Sequence, residues 1–126
     1  MVNKGATTMW EKWDAIRPDD SIQAVSLNHY AFSSIGSWMY ENIAGIKPAA
    51  PGYKQIIIQP HVGGGLTWAK GSYDCKYGKI VSEWKISGKR LIMNVVIPSG
   101  TTATIYIPGK DQVKVGPGKY VFKGIL

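Results

Sequence analysis

Residues Lys79 to Pro108 read KIVSEWKISGKRLIMNVVIPSGTTATIYIP, and this run decides the fold. Its side chains alternate. Ile80, Trp84 and Ile86 point one way, while Val81, Glu83 and Lys85 point the other. Beyond the tight turn SGK, Leu91, Met93, Val95 and Ile97 share a face; beyond SG, Ala103, Ile105 and Ile107 do the same. A period of two places successive side chains on opposite faces of a strand, so each segment predicts a strand with one buried face. Pro98 and Pro108 close two of these segments, where a missing N–H does least harm.

DQVKV (111–115) and GKYVFKG (118–124) extend the pattern toward the C-terminus. On the other side, KQIIIQP (54–60) reads as a short buried strand and LTWAKGSYDC (66–75) as the partner of KIVSEWKIS, through KYG. About seven or eight strands with Gly, Pro and Ser turns predict a mainly β chain, an antiparallel β-sandwich over residues 48–126. Trp68 and Trp84 are expected as its core anchors. His61 and the glycines of QPHVGGG fall in a loop that has neither the strand–GxGxxG–helix context of a dinucleotide site nor the GK[ST] of a P-loop.

Residues 1–47 differ in character. RPDDS (17–21) predicts a polar turn. A helix is expected from Asn28 as N-cap to Gly45 as the residue that ends it. Ala31, Ile35, Trp38, Met39 and Ile43 repeat along it as one apolar stripe. KPAAPG (47–52) reads as a linker.

The chain has 126 residues, 44% apolar and 18% charged, enough for one domain with a real core. No run reaches the roughly 20 apolar residues of a membrane span. The N-terminus shows no signal-peptide pattern, which leaves localisation unknown. One cysteine and two histidines offer no metal-ligand spacing, so no metal and no cofactor are expected; oxygen-ligand calcium is the least excluded ion. Fifteen Lys and Arg against eight Asp and Glu give a net charge of +7, which raises nucleic acid as a partner. The lysines are scattered over strand faces and turns, however, and read better as a solvated surface.

The chemistry-bearing cluster lies near the start. GATTMWEKWD (5–14) sets Trp10, Glu11, Trp13 and Asp14 close together. Aromatic faces beside carboxylates suit a sugar site, although packing in a core accounts for the tryptophans equally well. GATTMWEKWD, SLNHYAFSSIGSWMYENIAGI and PGYKQIIIQPHVGGGLTWAKGSYDCKYGKIVSEWKI occur in this order. Together they resemble the C-terminal end of bacterial α-L-rhamnosidases, glycoside hydrolase family 78, over nearly the whole chain.

The resemblance implies a fold and a chemistry. Residues 1–47 would be the terminal segment of an (α/α)6 catalytic barrel, incomplete here, and residues 48–126 the β-sandwich that follows it. The family hydrolyses terminal α-L-rhamnosides with inversion, using two carboxylic acids. Glu11 matches the general base of the TTxWE motif, and His29 matches the pocket histidine of NHYA. Trp10 and Trp13 would cover the apolar face of the sugar. Inversion needs a general acid opposite the base, roughly 6.5–9.5 Å away, to admit a water. That acid belongs to earlier barrel helices, so the isolated chain is expected to be inactive. Its partners would be a rhamnose-containing glycoside or polysaccharide and the rest of the catalytic barrel, with a homo-oligomer through the exposed helical stripe as a further expectation. A periplasmic or secreted parent enzyme is compatible with this. A stand-alone carbohydrate-binding module is the alternative, and shared exposed aromatics would be its mark.

Overall fold

The computed structural model describes residues 1–126, the side chain of Ser33 excepted. The chain separates into two compact units, Met1–Ser37 and Trp38–Leu126.

The second unit is a β-sandwich of eight strands: β1 (Ile46–Pro48), β2 (Gln55–Ile58), β3 (Trp68–Cys75), β4 (Gly78–Ser87), β5 (Arg90–Ile97), β6 (Thr102–Ile105), β7 (Val113–Val115) and β8 (Gly118–Ile125). One sheet has the order β1-β2-β6-β7 and the other β3-β4-β5-β8. The alternating positions of the sequence face inward as expected. Ile80, Trp84, Leu91, Met93, Val95 and Ile97 of one sheet form one buried cluster with Ile46, Ile56, Ile58, Ala103 and Ile105 of the other. Each fully buried side chain of this size contributes roughly 1.5–3 kcal/mol relative to exposure.

Four features depart from the expectations. Pairing is antiparallel except for β2 and β6, which run parallel from Gln55↔Thr102 to Ile58↔Ile105. Lys47 and Pro48, expected in a linker, belong to β1, which pairs with β2 through Ile46↔Ile58. Pro48 is tolerated there because it ends the strand at the edge of the sheet. Trp68, expected in the core, is 63% exposed. On β3, Ala69 pairs with the buried Trp84 and Gly71 with the buried Ser82, so the core face belongs to odd numbers and Trp68 stands on the other face opposite Lys85.

The fourth departure is the helix. It opens at Tyr30 rather than after Asn28, and His29 precedes it with extended backbone. A bond from the His29 N–H to the Met9 carbonyl, 2.7 Å, holds the chain extended at that point. The helix is also not uniform. α1 (Tyr30–Ser33) and α2 (Ile35–Trp38) are single turns, and Met39–Ala44 is wound as a π-helix. It stops at Gly45 as expected, in the left-handed region at φ 75°, with its N–H on the Tyr40 carbonyl.

The π-helix is fastened to the sandwich at its C-terminal end. The last carbonyls of a helix have no partner within it. Here the Trp84 Nε1–H donates to the Ile43 carbonyl at 2.8 Å. The Ser82 hydroxyl donates to the Ala44 carbonyl at 2.6 Å. Two buried polar side chains of β4 thus complete the helix terminus. Gly71 lets β3 approach it as well, since a Cβ there would lie 2.5 Å from the Ala44 Cβ.

Candidate functional site

The first unit is an irregular hairpin that displays the Trp-Glu cluster. The RPDDS turn closes it: the Arg17 N–H donates to Ser21 O at 2.9 Å, and Ser21 in turn donates to the Asp19 carboxylate from its N–H at 3.0 Å and its hydroxyl at 2.7 Å. These bonds hold the Asp19 carboxyl below its ordinary value of 3.8. Beyond the turn the two arms meet at the Ile16↔Ile22 bridge. Gln23 then donates to Ala15 O, Glu11 to Ser26 O and His29 to Met9 O. The segment 9–17 is therefore laid along 21–29.

Within this frame Glu11 and Ser26 form a reciprocal pair. The Glu11 N–H donates to the Ser26 carbonyl and the Ser26 N–H donates to Glu11 Oε2, both at 2.9 Å. Backbone and carboxylate are fixed by the same residue, so the side chain has a defined direction. Glu11 remains partly exposed. Trp10 is 6% exposed and Trp13 is 76% exposed. The first tryptophan thus serves as packing within its unit and the second offers an open face. Asp14 is exposed, and its carbonyl accepts from the Gln23 side chain at 2.7 Å. The His29 ring is half-buried against Phe32, with centroids 5.1 Å apart.

The backbone ladder brings Glu11 and His29 onto facing arms of one hairpin, and this was not legible from the motifs. Ser26 was also missed as the residue that fixes Glu11. Its one signal is a place two residues before Asn28, as a lone hydroxyl between Val25 and Leu27. Among the described residues no group of three or more His, Cys, Asp and Glu is placed to hold a metal ion. Among the described residues no helix is long and apolar enough to cross a membrane.

The hairpin with its fixed carboxylate and the two-sheet sandwich each have counterparts among known proteins. Residues 45–122 match the bacterial α-L-rhamnosidase C-terminal domain, and residues 1–43 match the bacterial α-L-rhamnosidase six-hairpin glycosidase domain. The chain is 40% identical over 125 residues to an α-L-rhamnosidase of Streptomyces avermitilis, covering 95% of this chain and 12% of that protein. It is 44% identical over 119 residues to one from Formosa agariphila, covering 90% of this chain and 13% of the other. The crystal structure of Streptomyces avermitilis α-L-rhamnosidase complexed with L-rhamnose superposes with a TM-score of 0.81 at 35% identity, over 97% of this chain and 14% of that one. The chain belongs to the bacterial α-L-rhamnosidase family and corresponds to its C-terminal region.

Proposed function

We propose that the chain serves an inverting α-L-rhamnosidase that hydrolyses terminal α-L-rhamnosides, with Glu11 as the general base. The supporting observation is the reciprocal Glu11–Ser26 pair. It occupies Oε2 with a backbone N–H and leaves Oε1 to accept a proton from water. A carboxylate so oriented can deprotonate a water as that water attacks the anomeric carbon. Trp13 lays its open face against the apolar side of the sugar, which carries a methyl group in place of the 6-hydroxyl. His29 donates to or accepts from a ring hydroxyl, and Trp10 forms the packed floor under the cluster. The general acid that protonates the leaving oxygen comes from the remainder of the catalytic barrel, which also supplies the other walls of the pocket.

Two measurements test this. The purified 126-residue chain is expected to show no turnover of an aryl α-L-rhamnoside. The chain is then exchanged for the matching 125 residues of the Streptomyces avermitilis enzyme. This chimera is expected to be active, and Glu11→Gln is expected to lower its kcat by roughly 10²–10⁴-fold. Activity that survives Glu11→Gln, or turnover by the isolated chain, refutes the proposal.

A further inference from the structure

The second unit carries an apolar groove of about 530 Å³ outside the Glu11 region. Met39 and Tyr40 of the π-helix form one wall, and Leu66, Trp68 and the edge of β3 form the other. All four of these large side chains are exposed. An exposed apolar surface of this kind marks an interaction site more often than bare surface.

The groove also follows an open strand edge. β3 is the outermost strand of its sheet. The Ile86 N–H donates to the Thr67 carbonyl at 2.8 Å, which fixes the hydrogen-bonding phase of the β3–β4 ladder. In an antiparallel ladder that phase alternates, and the register pairs Trp68 with Lys85 and Ala69 with Trp84. The odd-numbered residues therefore bond to β4. Trp68, Lys70 and Ser72 turn their N–H and C=O groups outward, and all three line the groove. An occupant must supply apolar side chains and hydrogen-bonding groups together, as a folded protein surface does. Tyr40 is set in place by an edge-on contact with Tyr73, with centroids 6.4 Å apart, and Tyr73 by Tyr53 at 4.6 Å.

We infer that this groove is the seat on which the remainder of the six-hairpin glycosidase domain docks, an inference that rests on the chain working inside a larger rhamnosidase. The match to that domain ends at residue 43, so the π-helix wall carries its last matched residues while β3 belongs to the C-terminal domain. The groove lies along the seam of the two domains. The relatives are about eight times the length of the matched region, since it covers only 12–13% of them. The remainder of a glycosidase domain whose matched part ends in the π-helix wall is the occupant assigned to this seam.

The test compares amide hydrogen exchange in the isolated chain and in the chimera described above. The Trp68, Lys70 and Ser72 amides are expected to exchange at least about tenfold more slowly in the chimera. Those of β7, the edge strand of the other sheet, are expected to keep their rates. Exchange needs no turnover, so an inactive Glu11 variant gives the same readout and the two proposals fail separately. If the chimera does not fold, the Streptomyces enzyme lacking the matched region is added in trans to the labelled chain, and the same amides are read with Trp68 fluorescence. Unchanged exchange at these amides overturns the inference. So does protection in the isolated chain that grows with its own concentration, which would make a second copy the occupant. Saturable protection by L-rhamnose alone would also overturn it and would favour a carbohydrate-binding module.

Discussion

Gly45 concentrates the constraints of this chain in a single residue. It sits at φ 75°, where a side chain is strained, and a Cβ would lie 2.2 Å from the backbone nitrogen of Pro60. Gly45→Ala therefore combines left-handed strain with overpacking against rigid backbone, and is expected to destabilise the second unit by roughly 2–4 kcal/mol. Gly64 is the control. Its φ is 62° but nothing stands within 4 Å of its Cβ position, so Gly64→Ala carries the conformational strain alone. Urea unfolding of the two variants separates the terms, and equal losses would show that the Pro60 contact yields freely. Gly45 could be read from sequence as a helix end, because a glycine after an apolar stripe has few other uses. Trp68 could not be placed the same way. Its face depends on the register of β3 against β4, and a segment with the small residues Ala69 and Gly71 on its core face carries too little contrast to fix that register.

At the scale of elements, the RPDDS turn predicts a pH response. Ser21 donates to the ionised Asp19 from its hydroxyl and its N–H, and these bonds lower the carboxyl below 3.8. A lowered folded value means that the unfolded chain binds the proton more readily. The contribution is therefore complete above about pH 3.8, the ordinary value, and is lost as the pH falls through the folded value. Ser21→Ala is expected to move the Asp19 titration upward, followed by the Asp19 carboxyl carbon shift in NMR; an unmoved titration would show that Ser21 does not set it. Legibility differs from element to element for physical reasons. β4, β5 and β6 could be read because each has one fully buried face, which imposes period two. β1 could not, since three residues ending in proline give no period. The parallel β2–β6 pairing was hidden too, because alternation reports which side of a strand is buried and not which strand lies beside it. The π-helix was read as ordinary helix, since its apolar spacing fits both windings. The cluster at Glu11 was legible through its motif, while its Ser26 clamp depends on a backbone pairing that crosses the polar turn.

The two units are held together internally by different means. In Trp38–Leu126 thirteen buried apolar residues form one continuous cluster between two sheets. In Met1–Ser37 only Trp10 and Ala15 are buried among the described residues. The first unit depends instead on a ladder of backbone bonds near solvent, one isolated bridge, the Lys4–Asp20 ion pair and the N-terminal ammonium donating to the Trp13 carbonyl at 2.9 Å. Exposed ion pairs of this kind contribute about 0–1 kcal/mol. Local opening should therefore cost the first unit far less than the second. In the isolated monomer, amides of residues 5–20 are expected to exchange roughly 10²–10³-fold faster than those of β4 and β5, which lie in the middle of their sheet. Insertion in the chimera should close most of that gap if neighbouring barrel helices are what the first unit lacks. Slow exchange throughout residues 5–20 in the isolated monomer would show that the hairpin is self-sufficient, and that the Glu11 cluster keeps its geometry without a barrel around it.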